Sequence, residues 1–298
     1  MAIKLCGLAL CVVACASSQP RSTAAPGAPA AQREELFSKS DAYERFMGRW
    51  SRLLAPKMVD FAGVRDGDRV LDIGSGTGAL AFAVRAANPS GAIVGIDPSV
   101  DYVRYAASRA AGTRIAFEVG DAQALALPER SFDKTLSLLV INFIPDRDRA
   151  IDEMIRVTRP GGVIAAAVWD YGEGMEMLRT FWDEAVALDP SSAPRDEHTM
   201  PLSKAGGLAA AWRAHGLRDV EEQPLTIALR FASFDDYWAP FLLGQGPAGA
   251  YVAKLAPAQR AALEARLRTR LLGGGPDRAF ELRARAWAVR GVVASPGA

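Results

Sequence analysis

The sequence predicts an α/β fold built on a doubly wound, mostly parallel sheet, and two observations carry that expectation. Between about residues 36 and 170, short apolar runs alternate with amphipathic stretches, and the first run, RVLDIG at 69–74, leads straight into a glycine cluster that opens the next helix. Five strands, each followed by a helix or turn, are most simply housed in an open sheet with helices on both faces.

The elements follow in order. RVLDIG is the first strand, and ALAFAVRAA at 79–87 is the helix behind the glycines. AIVGID at 92–97 is the second strand, ending at Asp97; Ser99 then caps a helix on which Val100, Val103, Ala107 and Ala110 recur at helical spacing. IAFEVGD at 115–121 is the third strand. After the turn LPERSFD comes TLSLLVINF at 135–143, apolar on both faces as a central covered strand should be. From 146 to 158, Ile151, Met154, Ile155 and Thr158 share one helix face, Pro160-Gly161-Gly162 ends the helix, and GVIAAAVWD at 162–170 is the fifth strand.

After residue 170 the rhythm changes. EGMEMLRTFWDEAVAL at 173–188 reads as helix, SSAPRDEHTMPLSKAGG at 191–207 as loop, and VEEQPLTIALRF at 220–231 as a sixth strand. The stretch 234–272 is rich in helix signals. Leu263, Leu267 and Leu271 form an i, i+4, i+8 stripe with Glu264 and Arg268 outside it, and GGGP at 273–276 is the stop. RARAWAVRGVV at 283–293 alternates small or apolar residues with charged ones, the pattern of an edge strand.

Composition narrows the function classes. In 298 residues, 35 Lys and Arg face 34 Asp and Glu, so no long-range field draws in nucleic acid. Cys6, Cys11 and Cys15 all lie in the first fifteen residues, leaving the rest of the chain without a thiolate site, and His198 and His215 stand in no metal-binding spacing; no metal is expected. The opening MAIKLCGLALCVVACASSQP has one positive charge and an apolar run too short to span a bilayer, as in a secretory signal. VVAC at 12–15 resembles a bacterial lipoprotein cleavage box, with Cys15 as the lipidated residue. Two readings stand: residues 1–35 are an export signal with a flexible Pro/Ala/Ser tether, making an exported, membrane-anchored lipoprotein, or they precede the true start of a cytoplasmic protein. The globular domain is placed at 36–298, with its core at 64–170 and cap elements at 171–280.

VLDIGSGTG at 70–78 poses the functional question. A strand running into glycines and then a helix brings a ligand against bare backbone and a helix N-terminus. Two ligand classes use that device, and Gly74, Gly76 and Ala79 also satisfy the GxGxxA of dinucleotide binders, so the loop alone does not choose.

The wider pattern does. VLDIGSGTG resembles the first motif of class I S-adenosylmethionine-dependent methyltransferases, with Asp72 ahead of Gly74, Ser75, Gly76 and Gly78. GIDPS at 95–99 is similar to that family's second-strand ending, and GDAQALALPERSFD at 120–133 to its adenine-recognition segment. IPD at 144–146 and RPGG at 159–162 sit as they do in the ubiquinone-biosynthesis-like, small-molecule branch (type 11). The likeness is specific over about residues 40–170 and looser beyond. It implies a Rossmann-like, mostly parallel seven-stranded sheet with helices on both faces and an antiparallel C-terminal edge strand.

The resemblance also assigns roles. Asp97 and Pro98 would hold the ribose, Asp121 and Ala122 the adenine, and Leu138 would meet the cofactor through its backbone. Tyr43 and Arg49, in AYERFMGRWS at 42–51, match a segment that folds over the methionine end, the alternative being a helix packed by Phe46 and Trp50. NFIP at 142–145 departs from the NPPY of nucleic-acid N-methylating enzymes. Implied are S-adenosyl-L-methionine as cofactor, a small-molecule acceptor, methyl transfer by in-line displacement and a monomeric protein. No general base is assigned: His198 reads as a solvated loop residue and His215 as a favourable cation at a helix end. The rival readings are an NAD-dependent oxidoreductase on the same fold and a cofactor-binding lipoprotein without turnover.

Overall fold

The computed structural model describes residues 40–295. The signal and tether expected at 1–35, Cys15 included, lie outside the described residues. Helix α1 (Ser40–Tyr43) continues through a π-helical turn (Glu44–Gly48) into α2 (Arg49–Ala62), which ends at Gly63 in the left-handed conformation. Then follow β1 (Val70–Ile73), α3 (Ala79–Ala87), β2 (Ile93–Asp97), α4 (Val100–Arg109), β3 (Ile115–Val119), β4 (Phe132–Leu138), α5 (Arg147–Val157) and β5 (Thr158–Trp169). The second half comprises α6 (Glu176–Leu188), α7 (Gly207–Ala214), β6 (Arg218–Phe231), α8 (Phe234–Trp238), α9 (Gly246–Lys254), α10 (Pro257–Leu272) and β7 (Phe280–Val292).

The strands form one sheet in the order β3-β2-β1-β4-β5-β7-β6. The first five are parallel, and β7 runs antiparallel to both β5 and β6. The chain steps outward from β1 to β3 and then returns to place β4 on the other side of β1. The strand order therefore reverses between β1 and β4, and a crevice opens beyond their C-terminal ends, where open α/β sheets bind ligands.

The walls of this crevice are fixed by burial. All four residues of β1 are buried, and the second half of β5 is a continuous buried run from Ala165 to Trp169, as expected of strands covered on both faces. Ser99 caps α4 by accepting the Tyr102 N–H, as its position ahead of that helix predicts. On α10, Leu263 and Leu267 are fully buried, and Gly273 in the left-handed conformation ends the helix.

The C-terminal strand departs from its expected place. It is antiparallel, but it lies one position in from the edge, which is taken by β6. Its charged residues suggested solvent on one side; instead they find partners. Arg285 pairs with Asp170 at the end of β5, and Arg290 pairs with Glu221 on β6 while donating to the Phe61 carbonyl. The 191–207 stretch is also more ordered than a loop. Asp189 and Asp196 each cap a short 3₁₀ turn within it, Pro190–Arg195 and Glu197–Thr199.

Candidate functional site

The glycine loop crosses the top of the crevice, and its three glycines do different jobs. Gly74, at φ +69°, has Val140 so close that a Cβ would sit 2.3 Å from its methyl carbon; Gly78, at φ +92°, has Phe82 at 2.8 Å and Phe117 at 3.0 Å. Both therefore make room for the protein's own side chains. Gly76, at φ +51°, meets nothing nearer than 4.0 Å, so it is the loop glycine whose bare backbone faces open space.

Asp97 anchors the loop. One carboxylate oxygen accepts the Gly76 N–H at 2.9 Å and the other accepts the Ser99 N–H at 2.8 Å, so the end of β2 holds both the loop and the start of α4. The group is 7% exposed, and burial raises its pKa against these two hydrogen bonds.

Beneath the loop lies a cavity of about 20 Å³ lined by Tyr43, Ser51, Asp72, Gly74, Ser75, Gly76, Thr77, Ala79, Leu80 and Leu138. Asp72 is 1% exposed, and neither of its carboxylate oxygens, nor Ser75 Oγ, has a hydrogen bond of normal geometry among the described residues. Burial pushes Asp72 up to about 8, the nearby Ala81 amide opposing and the charge of Asp97 adding to the rise. Buried acceptors without donors are costly and rare in folded proteins. A site with two of them against bare backbone is built for a ligand that brings donors or positive charge.

The structure thus gathers Tyr43, Asp72, Gly74, Ser75, Gly76 and Leu138 around one cavity, with Asp97 holding its roof. Leu138 ends β4, and Leu139 beyond it takes φ +64°, unusual for a leucine, which turns the chain to bring Val140 against Gly74. Gly78 caps α3 from the left-handed region. Pro98 is exposed at the end of β2, and Asp121 is exposed at the end of β3, where it binds the side-chain amide of Gln123 at 2.9 Å; Ala122 packs on the core edge.

Arg49 lies elsewhere. Its guanidinium grips Asp236 of α8, at 2.5 Å for the shorter contact, and lies over Trp50 at 4.0 Å and Phe231 at 5.0 Å, clamping α2 to β6 and α8. Of the pair from the N-terminal segment, Tyr43 alone reaches the cavity.

Next to the two histidines the structure holds groups that the sequence did not single out. His198 is half exposed beside Asp196 at 3.3 Å, and His215 caps α7 between Asp152 and Asp148, at 2.8 and 3.3 Å. Glu197, the neighbour of His198, is 5% exposed and accepts the Trp182 indole N–H at 2.8 Å. No spacing in a Pro/Ser-rich stretch marks it. No group of three or more metal-ligating side chains occurs among the described residues, and no described helix is long and apolar enough to cross a membrane.

Residues 64–198 match the family described as a methyltransferase domain. The chain is 30% identical over 175 residues to an uncharacterized protein of Mycobacterium tuberculosis, covering 56% of this chain and 63% of that one. It is 37% identical over 119 residues to a ubiquinone/menaquinone biosynthesis C-methyltransferase of Geobacter sulfurreducens, covering 38% and 45%. The chain spans less than two thirds of the length of these relatives. Among solved structures, the fold resembles the YcgJ protein of Bacillus subtilis (20% identity, 82% of this chain and 99% of that one, TM-score 0.53). It also resembles phosphoethanolamine N-methyltransferase 2 of Haemonchus contortus in complex with S-adenosyl-L-methionine (18% identity, 88% and 58%, TM-score 0.54).

Proposed function

We propose that the protein binds S-adenosylmethionine over the glycine loop and transfers its methyl group to a small-molecule acceptor. The observation that carries this reading is the pair of unpartnered buried acceptors, Asp72 and Ser75, in a cavity roofed by Gly76 and Asp97. Those residues fit the group. Asp72 offers a carboxylate to a cationic amine, and Gly76 offers backbone with no Cβ in the way. Asp97, already tied to two amides, keeps lone pairs free for ribose hydroxyls. The cofactor supplies, when bound, a methyl group on a positively charged sulfur that leaves as a neutral thioether.

The chain's own part is chiefly positioning. Asp72 and Asp97 fix the two ends of the ligand, and the crevice between β1 and β4 sets the line of attack, which is where much of the acceleration in such a transfer originates. At about 20 Å³ the cavity holds about one water. The NAD alternative is less well served: a pyrophosphate brings negative charge toward the buried carboxyl of Asp72, and no arginine or lysine lines the cavity.

The test is calorimetric titration with S-adenosylhomocysteine, followed by radiolabelled methyl transfer to a panel of small acceptors. Saturable binding that weakens at least tenfold in Asp97→Ala supports the reading. Protein that binds the ligand but transfers no methyl group to anything would leave a binding module in its place.

A further inference from the structure

A glycine loop ahead of a helix ordinarily turns its amides toward an anion. In this loop the amides are spent within the chain. The Gly74 and Ser75 N–H groups both donate to the Ile96 carbonyl, at 2.7 and 3.0 Å, and the Gly78 N–H donates to the Ser75 carbonyl at 2.8 Å. The Gly76 N–H donates to Asp97 at 2.9 Å. In the first turn of α3, the Ala81 amide is directed at Asp72.

The cations of the covering segment are turned away as well. Arg49 grips Asp236, Arg52 pairs with Glu44, and Arg45 lines a separate groove with Asp41, Asp101 and Arg104. No lysine or arginine is among the described residues lining the cavity, and the Ser51 hydroxyl donates to the Met47 carbonyl at 3.2 Å. The side-chain donors left to meet an anion there are the neutral hydroxyls of Tyr43, Ser75 and Thr77. Asp72 shares the cavity with them, 1% exposed and with both carboxylate oxygens lacking a hydrogen bond of normal geometry.

The amino-acid arm of S-adenosylmethionine carries an ammonium and a carboxylate on one carbon, so whatever brings the first to Asp72 brings the second close to it. The ammonium gains a charge-assisted hydrogen bond and favours the charged form of Asp72. The carboxylate exchanges water for neutral donors beside a like charge, which is unfavourable in buried surroundings. We propose that the cavity selects the ammonium group of its ligand and rejects the adjoining carboxylate, so that decarboxylated S-adenosylmethionine, whose arm is a plain aminopropyl chain, is a ligand of this site and binds more tightly than S-adenosylmethionine. The inference rests on the cofactor reading above. Asp72 makes the distinction, attracting the group that both ligands share and repelling the one that differs.

The experiment is calorimetric titration of the full chain with S-adenosylmethionine and its decarboxylated form, which differ by the carboxylate alone. S-adenosylhomocysteine, its decarboxylated form and 5′-methylthioadenosine, which has neither group, complete the series. Each decarboxylated ligand is expected to bind about tenfold more tightly than its parent, and 5′-methylthioadenosine more weakly than decarboxylated S-adenosylhomocysteine. In Asp72→Asn the Kd values of S-adenosylmethionine and its decarboxylated form should converge to within about threefold, while that of 5′-methylthioadenosine moves less than about twofold. Should that variant not fold, the wild-type series decides by itself. A wild-type preference for the decarboxylated ligands below about threefold overturns the proposal, as does a preference that persists in Asp72→Asn or 5′-methylthioadenosine binding as tightly as decarboxylated S-adenosylhomocysteine. Those results leave the cofactor reading standing, whereas a chain that binds no adenosyl ligand overturns that reading and this proposal with it.

Discussion

Asp97 and Gly76, 21 residues apart, are joined by a hydrogen bond of 2.9 Å from the loop amide to the carboxylate, which sets the height of the glycine loop over the crevice. The same carboxylate is the candidate ribose acceptor, so one group both shapes the site and faces its ligand. Removing it acts twice. Asp97→Ala is expected to lower S-adenosylhomocysteine affinity by about 10–100-fold, the range for loss of charge-assisted hydrogen bonds, and calorimetry gives the number directly.

Gly74 and Gly76 are expected to respond differently to the same substitution. Alanine at Gly74 meets both the strained φ and Val140 at 2.3 Å, so Gly74→Ala should destabilise by about 2–4 kcal/mol in urea titration, with part recovered in Gly74→Ala/Val140→Ala. Alanine at Gly76 meets only the strained φ, about 1 kcal/mol, and its larger effect should be on ligand affinity.

The buried carboxyl of Asp72 gives stability a pH dependence of definite sign. Its folded value, about 8, stands above its ordinary 3.8, so the folded protein holds a proton that the unfolded chain releases. That contribution is complete below the ordinary value and is lost as pH rises toward 8. The melting temperature should therefore fall between pH 5 and 8, and Asp72→Asn should flatten the fall. A ligand amine placed beside Asp72 favours the charged form, so S-adenosylhomocysteine binding at pH 7 should release protons. Titrations in phosphate and in Tris should then give different apparent enthalpies.

Arg49 belongs to the scaffold. Its side chain is 25% exposed and Asp236 32%, in a two-contact pairing backed by Trp50. Arg49→Ala should cost about 1–2 kcal/mol of stability, between the values for exposed and buried pairs, while S-adenosylhomocysteine affinity stays within twofold.

Most of the site's first half was legible in the sequence because each residue there is tied to the chain's local geometry. Asp72 lies in the first strand, Gly74 and Gly76 follow its end by fixed offsets, and Asp97 closes the next strand, so the motif order places them together once the sheet is parallel. Arg49 and Tyr43 shared a motif but not a direction: six residues apart on one helical segment, they point to different neighbours, and only packing against Phe231 and Asp236 decides which. The inner position of β7 was hidden for a related reason. Its alternating charges resemble a solvated edge until Asp170 and Glu221, distant in sequence, arrive to pair with Arg285 and Arg290. Glu197 carried no local signal; its burial is created by Trp182, fifteen residues earlier on another element.

The proposed chemistry of this protein turns on whether the glycine loop carries S-adenosylmethionine. Titration of the wild-type chain with S-adenosylhomocysteine and, separately, with NAD decides it. One saturable site for S-adenosylhomocysteine at roughly micromolar Kd, with no heat from NAD, is the expected outcome. Saturable binding of NAD with no response to S-adenosylhomocysteine would refute it.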